Sequence, residues 1–200
     1  MSKKAYSDAE RQAVRAQLLK AGRELFAAQG YRGTTLAQVY GRVGISRNFF
    51  YTFFPSKEDF VIRTLQSQRP LLLDRIRAQM GEGRLSWQDS FRAFMADCMN
   101  RQKSGIAILT IDEQEMIFRS LSPALFDEFH TTQVAFFQDL LAAWGLPDDE
   151  RTAKILGNMA LSLLFMHNSA AQSLPFLFLG EMEETAHVLV ESIIRYLQRL

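Results

Sequence analysis

Apolar residues recur at spacings of three and four along almost the whole chain, which places most of the sequence on helices. No run alternates apolar and polar residues between turns as a strand would, and no segment repeats another. The pattern predicts an all-α protein of about nine helices separated by glycine and proline. A chain of 200 residues is also long enough to bury a core.

Helix caps divide the first sixty residues into short helices. Residues 7–10 have the form of a capping box and open a first helix, which Gly30 ends. Residues 35–53 begin with a second capping box and predict a short helix, a tight turn at Gly44 and another helix to about Phe53. Helix, glycine turn and helix in this order is the layout of a helix-turn-helix.

The charge is unevenly distributed along the chain. Residues 1–60 carry ten Lys and Arg against five Asp and Glu, a net charge of +5, whereas residues 61–200 carry thirteen against seventeen, a net charge of −4. A basic N-terminal part on an acidic remainder indicates that the N-terminal part meets a polyanion. A solvated helical face with the same excess is the alternative.

The rest of the chain reads as longer helices. A fourth helix is predicted to start at Lys57, and Pro70 should kink or break it, because proline removes a backbone donor and clashes with the preceding turn. Further helices are expected at about 87–103, 106–118, 123–144, 148–172 and 181–199. We therefore predict two domains, residues 1–56 and residues 57–200.

Residues 15–60 resemble the DNA-binding domain of the TetR family of transcriptional regulators. The matching positions are Ala21, Phe26, Gly30, Thr35, Gly44, Ile45, Ser46, Tyr51, Phe54, Ser56, Lys57 and Glu58. The family usually has alanine, a small residue and histidine where this chain has Tyr40, Asn48 and Phe53. The resemblance implies a three-helix DNA-binding domain followed by a larger helical domain for ligand binding and dimerisation.

The third helix carries the predicted base contacts. Entering the major groove, it would present Arg47, Asn48 and Phe49, which suit guanine, adenine and the thymine methyl group. The other predicted DNA contacts, most of them to phosphates, are Thr35, Ser46, Tyr51, Phe53 and Lys57. One short helix cannot bury every aromatic residue between positions 49 and 54. Phe50 and Phe54 are predicted to be core, and Phe49 and Phe53 are either core or DNA contacts.

A homodimer is expected to form through residues 148–200. Two helices there carry apolar residues at helical spacing, and two such helices from each subunit would build a four-helix bundle, as the resemblance implies. The predicted interface residues are Ile155, Leu156, Met159, Leu163, Leu164, Ala186, Leu189, Val190, Ile193, Leu197 and Leu200. A two-fold dimer would bind a palindromic site in double-stranded DNA. The alternative is that both faces pack against their own core.

The middle of the chain is predicted to hold a cavity for a mainly apolar small molecule that releases the DNA. Phenylalanine and methionine are abundant there, and both suit an adaptable apolar cavity. The predicted ligand-binding residues are Phe91, Phe94, Met95, Cys98, Phe126, Phe129, His130, Phe165 and His167. Asn168 and Gln172 could also orient a ligand. The alternative is a filled core.

Other functions find little support in the sequence. The three histidines are too scattered for a zinc pattern, and neither a phosphate-binding loop nor a convergent acid-base set is present, so we expect no metal, cofactor or enzymatic activity. Residues 112–115 contain three acids that predict a solvated face or a site for a cationic ligand. The lone Cys98 and the lack of a signal or membrane segment indicate a cytoplasmic protein that binds no membrane. A helical adaptor that binds only protein remains the alternative.

Overall fold

The computed structural model describes residues 6–169 and 178–200, and within these ranges the chain forms ten α-helices and no strand. The helices are α1 (Asp8–Gln29), α2 (Leu36–Val43), α3 (Arg47–Phe50), α4 (Lys57–Met80), α5 (Trp87–Met99), α6 (Arg101–Ser104), α7 (Ile111–Ser120), α8 (Pro123–Ala143), α9 (Glu150–Ser169) and α10 (Met182–Leu197). The all-α class is thereby confirmed. None of the helices in the described ranges is long and apolar enough to cross a membrane.

Side-chain caps set most of the helix starts. The hydroxyls of Ser7 and Thr35 accept hydrogen bonds from the third residue of α1 and α2, whose own side chain bonds back to the cap in each case. Ser46, Ser56 and Ser86 cap α3, α4 and α5 in the simpler one-way form. Each hydroxyl satisfies an amide that the helix itself leaves without a partner. The predicted starts of these helices are confirmed.

Three helix boundaries predicted from the sequence are wrong. The helix predicted over 87–103 ends at Met99, and Asn100 separates it from the short α6. α3 ends at Phe50 rather than near Phe53, and the next three residues form turns. The helix predicted over 106–118 begins only at Ile111, because the preceding residues are held in a non-helical conformation. The side chain of Gln68 holds them there by bonding both backbone groups of Ala107, at 2.8 and 3.0 Å.

α4 runs without a break through Pro70, so the predicted break does not occur. Proline at this position removes one backbone donor, and only the carbonyl one turn earlier loses its helical partner. Pro70 is exposed, so that carbonyl lies on a side of the helix near water. The continuous helix therefore contributes residues to both apolar cores.

The described residues form two apolar cores, and α4 contributes to both. The front core contains the buried residues of α1 to α3, with Phe60, Val61 and Ile62 from the first turns of α4. The rear core is built from the second half of α4 with α5, α8, α9 and α10. Ala107, Leu109 and Ile117 also join the front core, so the packing crosses the domain boundary predicted at residue 56.

Candidate DNA-binding surface and ligand cavity

α2, a glycine turn and α3 form a helix-turn-helix near the N-terminus. Gly44 has φ +75° and ψ 29°, a left-handed backbone conformation that residues other than glycine rarely adopt. Val39 and Phe50 are buried on the inner side and anchor both helices to the front core. The predicted base-reading residues Arg47 and Asn48 are exposed on the outer side.

The aromatic residues of this segment divide into buried and half-buried ones. Phe50 and Phe54 are fully buried with ring centroids 5.5 Å apart, as core residues should be. Phe49 and Phe53 are half-buried and pack against each other at 5.0 Å. Tyr6 lies 4.6 Å from the ring of Phe49, at the start of the described chain. Phe49 and Phe53 thus pack partly against other aromatic rings, and the rest of each side chain is exposed to solvent.

Tyr40 is accommodated at the crossing of α2 with α3 without distortion of the turn. Its ring is half-buried and lies 6.4 Å from that of Phe50. A side chain added at Gly41 would meet no atom within 4 Å beyond its two neighbours in the chain. Packing of the Tyr40 ring against Phe50 therefore accommodates tyrosine where the TetR family usually has alanine.

The predicted phosphate-binding residues differ in their freedom to reach DNA. Thr35, Ser46 and Tyr51 are exposed. Lys57 is half-buried, and its ammonium donates to the carbonyl of Thr34 at 2.9 Å and lies 4.0 Å from the ring centre of Tyr31. Burial lowers the pKa of the Lys57 ammonium. Lys57 therefore holds the loop between α1 and α2, whatever further contact it makes.

Glu113, at the start of α7, also holds the loop between α1 and α2. Its carboxylate accepts hydrogen bonds from the backbone amides of Arg32 and Thr110, at 3.1 and 3.0 Å. The side chain is only 4% exposed, which corrects the expectation of a solvated acidic face for this residue. α7 is thus bonded directly to the loop that precedes the helix-turn-helix.

A cavity of about 510 Å³ lies between α4, α5, α7, α8 and α9. Five predicted ligand-binding residues line it: Phe94, Cys98, Phe129, His130 and Phe165. Gly157 of α9 also lines it and lets α9 approach α8, because a side chain there would come within 2.9 Å of the ring of Phe137. The size is within the usual range for small-molecule sites, roughly 300–1,000 Å³.

The other predicted ligand-binding residues lie outside the cavity wall. Phe91 packs against Trp144 at 5.3 Å, and Met95 is fully buried in the rear core. Phe126 packs against Phe118, with ring centroids 5.5 Å apart. All three were indistinguishable from cavity residues by their spacing, since a core and a cavity need the same apolar helix face.

The polar residues predicted to orient a ligand are mostly elsewhere as well. His167 places its Nε2 atom 3.2 Å from a carboxylate oxygen of Glu183, away from the cavity. Asn168 does not line the cavity either, and Gln172 lies outside the described residues. Of the described members of this set, only His130 reaches the cavity.

Arg69 of α4 is a charged cavity residue that the sequence did not indicate. Its guanidinium donates to the side-chain oxygen of Gln133 at 2.7 Å and lies 5.8 and 5.6 Å from the ring centres of Phe129 and Phe136. Burial lowers the pKa of Arg69 to about 10, so the group stays charged at neutral pH. The cavity thus combines apolar walls with a half-buried guanidinium.

Cys98 has the character of a structural thiol. It is 3% exposed, and burial raises its pKa to about 12. Because the thiolate is the nucleophilic form, a raised pKa argues against a reactive role. Among the described residues, no group of three or more His, Cys, Asp or Glu side chains could hold a metal ion.

The apolar faces predicted for the dimer interface are largely part of the protomer's own core. Buried in the rear core are Leu156, Leu163, Leu164, Ala186, Val190, Ile193 and Leu197. Ile155 and Met159 of α9 are partly exposed. On α10, Val188 and Leu189 are 50% and 37% exposed. Any contact with a second copy therefore has a smaller apolar surface here than the sequence suggested.

Comparison with known proteins agrees with this architecture. Residues 18–64 match the sequence model of the bacterial regulatory proteins of the TetR family. The fold resembles reduced NemR of E. coli, with 20% identity and a TM-score of 0.57 over 90% of this chain and 96% of that chain. It also resembles a TetR-family transcriptional regulator from Agrobacterium tumefaciens, with 15% identity and a TM-score of 0.55 over 91% and 98%. No curated protein matches the chain.

Proposed function

We propose that this chain, which carries the DNA-binding domain of the TetR family at residues 18–64 and the fold of that family's regulators, represses transcription from a palindromic site and is released from it by a small molecule. The observation that carries the proposal is an exposed Arg47 and Asn48 on a helix-turn-helix whose inner side is fixed in a core. Rigid presentation of such side chains is what base reading in a major groove requires.

The direct test is a gel shift with fragments of genomic DNA at low and moderate salt, followed by sequencing of the bound fragments. We expect a recurrent palindrome whose half-sites lie about 34 Å apart, or a multiple of that distance. Binding that depends on charge alone would show no recurrent sequence and would vanish at moderate salt. No binding at either salt concentration would favour a helical adaptor that contacts only protein.

Replacing Arg47 by alanine should weaken binding to the recovered site by about 1–3 kcal/mol and relax the choice of one base pair. The side chain is exposed and contacts only the ring of Tyr51, at 5.8 Å, so little stability should be lost. The measurement is a binding titration against a site library. Arg42→Ala is the matched control, because Arg42 is also exposed, on α2, but is paired with Glu24 at 2.9 Å. Equal effects of the two changes would refute the assignment.

Release by a ligand is supported by the connection between the cavity and the helix-turn-helix. Ile108 and Leu109 line the cavity, and the chain then continues through Thr110 to Glu113, whose carboxylate holds the amide of Arg32. A ligand that displaces this segment would move the loop before α2. It can shift the equilibrium only by its difference in affinity for the two states, and about 3 kcal/mol corresponds to roughly a hundredfold.

Dimerisation is proposed to use the exposed side of α10. Exchanging Val188 and Leu189 for glutamate should produce monomers in sedimentation and weaken operator binding at least about tenfold, since one half-site is lost. Ile193 is not a suitable target, because it is buried and a charge there would unfold the protomer. Gln198→Glu, at the residue that follows the last residue of α10, is the control for added charge. A folded double variant that stays dimeric would exclude this face.

A further inference from the structure

We propose that the ligand of the cavity is an amphipathic organic acid whose carboxylate binds Arg69 and whose apolar body occupies the aromatic walls. The inference rests on the proposed function for the ligand's role, but its chemistry follows from the cavity alone. It is more specific than a mainly apolar ligand, because it assigns a charged head group and the residue that binds it.

Arg69 lines the cavity and, among the described residues, has no acidic partner, unlike Arg63 and Arg92. Arg63 pairs with Glu128 and Asp59, and Arg92 pairs with Glu191 at 2.6 Å. Among the described residues, the one hydrogen-bond acceptor of the Arg69 guanidinium is the neutral amide of Gln133. A guanidinium has five N–H donors, and a charge removed from water is costly without a counter-ion. The guanidinium of Arg69 is therefore a positive charge in the cavity that has no counter-ion among the described residues.

The charges that line the cavity disfavour a cationic ligand. No aspartate or glutamate of the described chain lines the cavity, whereas Arg69 and Lys154 both do. Lys154 is exposed and paired with Glu150 one turn earlier on α9, so its charge is already compensated. A cationic ligand would meet an uncompensated positive charge, and an anion would remove it.

The surroundings of Arg69 match a carboxylate with an apolar tail. The planar guanidinium binds two carboxylate oxygens at once, which gives the head group a fixed orientation. Phe129 and Phe136 lie on the guanidinium and restrict its movement. Leu65, Phe94 and Leu164 continue the wall as apolar surface for the rest of the molecule. The carboxylate head group and the apolar body of the proposed ligand would thus bind different parts of one cavity.

The test compares ligands that differ only in the head group. Hexanoate, octanoate and decanoate, the matching alcohols and the matching alkyltrimethylammonium salts are titrated calorimetrically against the full chain. We expect at least one carboxylate to bind about 10- to 100-fold more tightly than its alcohol, as a charge-assisted hydrogen bond should give. The trimethylammonium salts should bind more weakly than the alcohols. Equal binding of acid and alcohol, preference for the cation, or no binding by any probe would overturn the proposal.

Variants of Arg69 then assign the preference to this residue. Arg69→Met keeps the apolar stem and should remove the preference for the acid while leaving alcohol binding within about threefold. Arg69→Lys keeps the charge and should retain part of the preference. Arg75→Gln, an exposed position of α4 that pairs with Asp97, should change nothing. Circular dichroism establishes that each variant is folded, and a preference that survives in a folded Arg69→Met would overturn the assignment.

Gel shifts in the same samples separate the ligand class from the proposed function. Carboxylates that bind through Arg69 but leave operator affinity unchanged would support the ligand class and refute release by ligand. Alcohols that bind equally well and release the operator would support the proposed function and overturn the carboxylate assignment.

Discussion

Replacing Phe50 by alanine should lower the free energy of unfolding by about 3–5 kcal/mol, the usual cost of removing a large aromatic side chain from a core. Phe50 is fully buried, and its ring lies 5.5 and 5.3 Å from those of Phe54 and Phe60. These contacts hold the short α3 against α4, so its loss should also weaken operator binding. Urea denaturation followed by circular dichroism measures the change.

Phe49 provides the matched control for this prediction. It is the preceding residue, has the same side chain and is half-buried at the edge of the aromatic cluster, where its partners are Tyr6 and Phe53. Phe49→Ala should cost less than about 1.5 kcal/mol, because most of the area it buries is shared with surface residues. Equal losses for the two variants would contradict the division into buried and half-buried aromatics.

The helix starts could be predicted from the sequence because their causes are local. A capping hydroxyl bonds an amide three residues away, so Ser7, Thr35 and Ser56 indicated the starts of their helices without any knowledge of the fold. The course of residues 106–110 has a cause 39 residues away, in the side chain of Gln68. The end of α3 and the continuity of α4 at Pro70 likewise depend on the packing around them.

In the candidate sites, too, some features could be predicted from the sequence and others depend on how distant helices pack. The exposed positions of Arg47 and Asn48 followed from the turn at Gly44 and the helix behind it. The cavity was expected, yet its charge was not, because Arg69 has the sequence context of an ordinary surface arginine. The sequence likewise predicts a phosphate contact for Lys57 and a solvated face or a cationic ligand for Glu113, and does not indicate that both side chains hold the loop between α1 and α2. Burial of a charged side chain depends on which helices meet around it, and a single sequence does not record that.

Replacing Glu113 by alanine should lower the free energy of unfolding by about 2–4 kcal/mol. The change removes the bond from the Thr110 amide to the carboxylate, at about 1 kcal/mol, and a buried charge-assisted bond to the amide of Arg32, at about 1.5–3 kcal/mol. The loop between α1 and α2 should then open more often, and the exchange of the Arg32 amide hydrogen should accelerate. Urea denaturation and hydrogen exchange monitored by NMR measure the two effects.

Glu115→Ala is the control, because Glu115 is exposed on the same helix and pairs only with Arg119 one turn later. Such a pair contributes less than about 0.5 kcal/mol, so neither stability nor exchange at Arg32 should change. If Glu113 also carries the response to ligand, a folded Glu113→Ala protein should still bind ligand in the cavity, but the bound ligand should affect operator affinity less than in the unaltered chain. An undiminished response would exclude this residue from the route between the cavity and the helix-turn-helix.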